Sequence, residues 1–388
     1  MCRLTIRLVA LSFSACTILV RGLSPTHGGP SDDVVSRRSL LVGGTAASTS
    51  LLFSSPIKPA YSVDVGSAPS QILVPGTGNA KLSPVVIGSW DDRQPLQTKL
   101  GRTRITAQEL SPLQTFSLGI GDPQELFYPT FLFGEWAATA TLKQKVYPYG
   151  PAFLPSKSLL EGSPRNRQET VGNTCTYDVR YFSTLANTLS NKLTVNLGTG
   201  VPESKIIQDR AFNAISISNA YKQLATVQDV VWDYRSNPTK LTLNFGAGIM
   251  TDDMRPLGPR RTEIFINARQ SESISGDDGN PSSYCAAERS RSVTLAPGAT
   301  IVSDTETITE FTKVADNHVT AVSRIAVYLT PNPNNREGIL WEQVGGKAVA
   351  FFDYSLDMTR KLENFQLSDG STVSRACVET PKNVVQCE

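Results

Sequence analysis

Between Glu135 and Val146 the chain reads EWAATATLKQKV and separates cleanly at period two. Trp136, Ala138, Ala140, Leu142 and Val146 form one set; Glu135, Thr139, Thr141, Lys143 and Lys145 form the other. Such alternation describes a strand with one dry and one wet face. The signal recurs. Val230–Tyr234 and Leu241–Phe245, joined by a turn at Ser236–Thr239, read as a hairpin. Arg261–Ala268, Ser290–Leu295, Glu306–Val314, Val319–Leu329 and Ala348–Met358 are further strands. In the last, Ala350, Phe352, Tyr354, Leu356 and Met358 share a face opposite Asp353, Ser355 and Asp357. Asp209–Tyr221 reads equally as a short helix or an irregular strand. Eight or nine strands with few helical periods argue an all-β fold. A closed antiparallel β-barrel removes exposed edges and is the expected architecture, with a β-sandwich as the alternative.

Two export-like segments precede this body. Leu8–Val20 follows Arg3 and Arg7, is too short to span a bilayer comfortably, and ends at Arg21, a secretory signal pattern. Ser36-Arg37-Arg38-Ser39-Leu40-Leu41 then matches the twin-arginine pattern, before an apolar run diluted by Gly43, Gly44, Thr45 and Ser48. Lys58 and the small-residue site Ala60-Tyr61-Ser62 close it. Two such signals in series resemble the leader of a nucleus-encoded plastid protein of an alga with a complex plastid, although Leu23 stands where phenylalanine is common. The resemblance implies residence in the thylakoid lumen, with Arg37 and Arg38 as targeting residues. The expected organisation is a secretory signal at 1–22, transit and twin-arginine signals at 23–62, a partly ordered arm at 63–126, a barrel domain at 127–362, and a tail at 363–388.

Charge is informative once this leader is set aside. The chain holds 37 basic and 35 acidic residues; without the six basic and two acidic residues of 1–62, 31 and 33 remain. The basic excess belongs to the leader, so the body lacks the electrostatic footprint of nucleic-acid binding. No stretch of the body approaches about eighteen consecutive apolar residues, so no transmembrane segment is expected there. Four cysteines remain, none at CxxC spacing, and only one histidine, which argues against a zinc site. Cys377 and Cys387 bracket a short loop and read equally as a disulfide or as free thiols.

The strand at Glu135 opens on Tyr128-Pro129-Thr130-Phe131-Leu132-Phe133-Gly134-Glu135-Trp136. Its Gly134-x-Trp136 resembles the opening of lipocalin-like barrels. That resemblance implies a tight chain approach at Gly134, a tryptophan on the barrel floor, and an arginine over the indole, for which Arg360 is the candidate. FYPTFLFGEW, QDRAFNAISISNAY, RIAVYLTPNP and KAVAFFDYSLDM, in that order, resemble an uncharacterised domain family of cyanobacteria and plastids. The resemblance spans about Phe127 to Arg360 and carries no activity with it.

Residues for catalysis are scarce. His318 sits in an apparent turn, and no Gly-x-Ser-x-Gly elbow occurs. Asp252-Asp253 and Asp277-Asp278 lack calcium-loop spacing. Gly198-Thr199-Gly200 and Gly246-Ala247-Gly248 lack the lysine of a phosphate cradle. No catalytic or metal-ligating residue is assigned. Asp209, Arg210 and Asn213 place polar groups in an otherwise apolar segment, read as a buried ion pair locking it to the sheet. The expectation is a barrel that requires no cofactor but holds a small apolar ligand, namely a pigment, lipid or quinone, lined by Trp136, Phe245, Phe352 and Tyr354. Gly134, Trp136, Asp209, Arg210 and Arg360 are its structural residues. The alternatives are an assembly factor acting on a photosynthetic membrane complex, and an enzyme modifying lipid or pigment.

Overall fold

Long antiparallel hairpins dominate the computed structural model, which describes residues 84–88 and 125–388 except 156–169, 187, 195–201, 223–226, 248, 251–255, 277–278, 280, 297, 333 and 335. The two export-like segments, most of the 63–126 arm and the paired aspartates therefore lie outside the described residues. The main strands are β1 (Val85–Ile87), β2 (Gly134–Tyr147), β3 (Thr174–Ser183), β4 (Ile206–Gln208), β5 (Val227–Asp233) and β6 (Asn237–Phe245). After the short pair β7 (Ile249–Met250) and β8 (Pro256–Leu257) come β9 (Arg260–Ser275), β10 (Pro281–Ala296), β11 (Ala299–Ala315), β12 (His318–Tyr328) and β13 (Ala350–Arg360). A C-terminal sheet holds β14 (Leu362–Gln366), β15 (Thr372–Glu379) and β16 (Val385–Cys387). The helices are α1 (Leu189–Thr194), α2 (Arg210–Lys222) and α3 (Arg336–Gln343).

Eleven strands form one sheet in the order β4-β3-β2-β13-β12-β11-β10-β9-β6-β5, with β1 also on β2. The sheet curls strongly into a half-barrel. Its hydrogen-bonded path is open among the described residues, from β4 to β5. The sheet exceeds the eight or nine strands expected because it also takes in β1, β3 and β4, and β9, β10 and β11 run to sixteen or seventeen residues each, well beyond their alternating runs.

The alternation in β2 holds from Trp136 to Leu142 and then changes phase. The register with β13 shifts between Asp353 and Tyr354, which face Gln144 and Leu142. The extra residue of that bulge turns every later side chain over. Lys145 and Tyr147 are consequently buried and Val146 is not. Val146 packs instead with Phe351, Ala326 and Trp341 of α3 on the convex side. That corrects its expected place beside Trp136.

Asp209–Tyr221 resolves as a helix. Asp209 is its N-cap, with Oδ1 accepting from the Phe212 N–H at 3.0 Å. It is not the ion-pair partner of Arg210, which turns away to other carboxylates. α2 packs against both β3 and β5. Ala214 and Ile215 meet Val227, Leu241, Leu243 and Phe245. On the other side Asn213 Oδ1 accepts from the Arg180 N–H at 2.7 Å, and Ser216 Oγ accepts from the Asp178 N–H at 3.0 Å. Those two amides belong to the stretch of β3 that β4 does not cover. Helix side chains thus satisfy a strand edge that would otherwise stay open.

Cys377 and Cys387 are joined in a disulfide that ties β16 to β15. The C-terminal segment folds back under the half-barrel, with Val378 in the same cluster as Trp136. The Gln386 side chain exchanges two hydrogen bonds with the Ser183 backbone, each 2.8 Å.

Burial pushes the Asp209 carboxyl above its ordinary range, opposed by the Phe212 N–H, Arg180 and the Ala211 N–H. The folded state therefore holds this proton to higher pH than the unfolded chain, and the protein loses stability as pH rises through that window. Asp209→Asn keeps the cap and removes the charge, so its stability relative to wild type should rise from pH 3.5 and level off by pH 7. Asp209→Ala should cost about 1 kcal/mol at neutral pH. Urea denaturation across that range checks both; an Asn variant as poor as Ala at pH 7 would reject the capping role.

Candidate functional site

The concave face of the half-barrel carries a band of small side chains. Ala138 and Ala140 on β2, Thr307 and Thr309 on β11, and Ser323 on β12 leave room that Trp136 and Leu142 close off along β2. The resulting pocket has a volume of about 380 Å³. Its walls are aromatic and aliphatic: Tyr177 and Tyr181 on β3, Phe311 on β11, Tyr354 and Met358 on β13. Ile217 and Tyr221 of α2 complete it on one side, so the helix that covers the β3 edge also supplies pocket wall. Tyr177 and Tyr221 pack with ring centroids 6.2 Å apart. The hydroxyls of Thr309 and Ser323 hydrogen-bond each other at 2.8 Å across β11 and β12.

At one end the pocket meets a buried charge cluster. Arg210, the first residue of α2, donates from Nε to Glu125 at 3.2 Å and from Nη1 to Glu288 at 2.9 Å, and from Nη2 to both. Both Arg210 and Glu125 are buried, and Glu288 is 22 % exposed. One guanidinium serves both carboxylates, and Arg269 of β9 stands directly across from Glu288. Glu288 lies directly across from Thr307, so it shares the concave face with a pocket residue. Gln208, also in the pocket wall, accepts from the Tyr128 hydroxyl at 3.4 Å. Burial, and then Glu288, pushes the hydroxyls of Tyr128 and Tyr181 well above the ordinary phenol range, with Arg210 opposing less strongly.

The floor is a second arrangement. Trp136 is fully buried, and its indole N–H donates to the Leu132 carbonyl at 2.9 Å. The Arg360 guanidinium lies 4.9 Å from the ring centroid, while Nη2 donates to the Phe131 carbonyl and Nη1 to Glu388, each at 2.7 Å. Gly134 has φ +112°, and a Cβ there would come within 3.3 Å of Ala376 Cβ on β15. The C-terminal segment presses against the chain at that point.

Of the four aromatic residues expected to line a ligand site, Tyr354 lines the pocket. Trp136 lies below it in the floor cluster, Phe352 packs with Tyr147 and Leu154, and Phe245 packs behind α2. Those three fill space where neighbouring side chains are large. Tyr177, Tyr181 and Tyr221 also line the pocket: the first two share the period-two face of β3, and the third belongs to the segment that reads equally as helix or strand. His318 is half-exposed and hydrogen-bonds Asp357 at 2.9 Å on the convex side, away from the pocket. Among the described residues, no group of three or more histidine, cysteine or acidic side chains could hold a metal, and no helix is long and apolar enough to cross a membrane.

A family model described as a domain of unknown function (DUF6816) matches residues 119–362. That span contains the pocket, the charge cluster and Arg360. No curated protein and no solved structure matches the chain.

The charge cluster also ties α2 to β10. Arg210→Met strands two carboxylates in the interior and should cost about 3–5 kcal/mol, read by denaturant unfolding. Replacing Glu125 and Glu288 by leucine in the same protein should recover most of that loss. Equal instability of single and triple variants would show that the cluster is not what Arg210 answers to.

Proposed function

The chain belongs to the DUF6816 family, and from that premise we propose that it is a carrier of a small, largely apolar molecule held in the pocket between α2 and the concave sheet. The pocket carries this reading. Its volume falls at the lower end of the range for small-molecule sites, and a mostly apolar wall with a few hydroxyls and one amide is how such sites combine affinity with orientation. Lining by Ala138, Ala140, Thr307 and Thr309 supports it further, because a sheet face meant only for packing would carry larger side chains. We read the half-barrel, with α2 across its open side, as serving as a closed lipocalin-like barrel does. A pigment, neutral lipid or quinone has suitable chemistry.

The serial leader at 1–62 supports residence in a plastid, in the thylakoid lumen. The Cys377–Cys387 disulfide fits an oxidising compartment. Neither observation bears on the cargo.

Two measurements test the proposal. Thr309→Phe fills the pocket centre, so affinity for the neutral probe N-phenyl-1-naphthylamine should fall at least tenfold with the thermal midpoint little changed; undiminished binding would place the ligand elsewhere. Protein isolated from its own source should release a small molecule detectable by native mass spectrometry. For the address, replacing Arg37 and Arg38 together by lysine should hold a fused reporter in the stroma, and arrival in the lumen regardless would remove the twin-arginine assignment.

A further inference from the structure

Tyr181 lines the pocket and is only 3 % exposed, yet its hydroxyl has no hydrogen-bond partner among the described residues. The ring is held by Tyr128 and Phe311, at centroid distances of 4.9 and 6.5 Å. Burial, and then Glu288, pushes the phenol well above its ordinary range, with Arg210 opposing, so the hydroxyl stays protonated and able to donate. A polar group buried without a partner is costly, and a ligand oxygen that accepts from it makes the bond the fold leaves unmade. Directly across from Tyr181, on β4, stands Gln208. Cross-strand neighbours share a face with Cβ atoms about 5 Å apart, and Gln208 also lines the pocket. Its Oε1 accepts from the Tyr128 hydroxyl at 3.4 Å, which leaves the two N–H groups of Nε2 unpartnered among the described residues. An O–H and an N–H donor therefore stand side by side at this end of the pocket. Further along the wall, the Thr309 and Ser323 hydroxyls already bond each other.

We propose that Tyr181 and Gln208 form a carbonyl-binding subsite, in which the Tyr181 O–H and a Gln208 N–H donate to one ketone, quinone or ester oxygen of the ligand. This rests on the pocket reading above and adds a chemical requirement to it. A carbonyl oxygen carries two lone pairs and no hydrogen of its own, so it satisfies both donors and leaves nothing unpaired. An alcohol in the same place would bring a hydrogen that needs an acceptor as well. Tyr181 and Gln208 thus fix which end of the ligand enters, and the apolar wall holds the rest.

Displacement of N-phenyl-1-naphthylamine from the full-length protein by 2-acetylnaphthalene and 2-isopropenylnaphthalene tests it, since the two have the same shape and differ in C=O against C=CH2. In Tyr181→Phe the affinity for the ketone should fall at least fivefold while that for the hydrocarbon stays within twofold. Gln208→Met should lower the ketone-to-hydrocarbon ratio at least threefold. Because the Tyr181 hydroxyl bonds no other group, the thermal midpoint of ligand-free Tyr181→Phe should not fall; a lower midpoint would show that the hydroxyl serves the fold and would overturn the proposal. A ratio unchanged in Tyr181→Phe, or an equal fall for both compounds, overturns it too. In the wild-type protein, 1-(2-naphthyl)ethanol bound as tightly as the ketone would overturn the carbonyl assignment. Should Thr309→Phe leave both displacements intact, the pocket reading fails and this inference with it. Displacement lost in Thr309→Phe but with a ratio indifferent to Tyr181→Phe leaves the pocket standing and removes only the carbonyl subsite.

Discussion

A sheet that curls without closing leaves two liabilities, an edge of unpaired backbone groups and a concave apolar face. α2 answers both. Asn213 and Ser216 accept hydrogen bonds from β3 amides that no strand reaches, at 2.7 and 3.0 Å. Asn219 receives the Val227 N–H at 3.4 Å where β5 begins. Between those contacts the helix presents Ile217 and Tyr221 to the concave face. Buried backbone groups must be paired somewhere, and here side chains from a helix take the place of a neighbouring strand. The pocket exists because a helix, standing off the sheet by the width of its side chains, covers the face less closely than a strand pair would.

The position of α2 is in turn fixed at its N-terminus. Asp209 caps it, the Asp209 N–H donates to the Arg180 carbonyl at 2.9 Å, and Arg210 reaches across to β10 and to Glu125. Buried ion pairs add little net stability, because desolvating the charges offsets their attraction. Their geometric demand is high, however. Arg210 satisfies both carboxylates only when α2, β10 and the segment before Tyr128 sit together, so the cluster specifies a relative placement that apolar contacts alone would leave loose.

The sequence made some of this legible and concealed the rest for identifiable reasons. Trp136 to Leu142 and Ala350 to Met358 alternate because each strand has one face on the interior, and the all-β class follows from such runs. Val146 misled because a bulge is silent in hydropathy: Gln144 and Lys145 look alike whether or not the register shifts. Phe351 and Phe352 are both buried because α3 covers the convex side there, which breaks the one-wet-face assumption. α2 was ambiguous because it has no single dry face. Asn213 and Ser216 meet β3, Ala214 and Ile215 meet β5 and β6, and Ile217 and Tyr221 meet the pocket, so its apolar residues spread around the axis instead of forming a stripe. Arg210 stood out as a charge in an apolar segment, but its partners lie 85 and 78 residues away and nothing local names them.

Of the aromatic residues expected around a ligand, Tyr354 borders the pocket, while Trp136, Phe245 and Phe352 pack in the clusters around it. A pocket is made where side chains are small, and the large ones beside it do the packing. Along β2 the concave face runs Trp136, Ala138, Ala140, Leu142, so volume drops in the middle and returns at both ends. β12 repeats this with Val319, Ala321, Ser323, Ile325 and Val327, and the register sets Ser323 against Thr309 on one side and Tyr354 on the other. The Thr309–Ser323 row runs on into Tyr354 and Leu142, and Ala138 and Ala140 stand across from Met358 and Leu356, so the pocket draws its small side chains from different rows of the sheet. Trp136 and Leu142 pack to full burial on either side of Ala138 and Ala140, so β2 itself bounds the space that its small side chains leave.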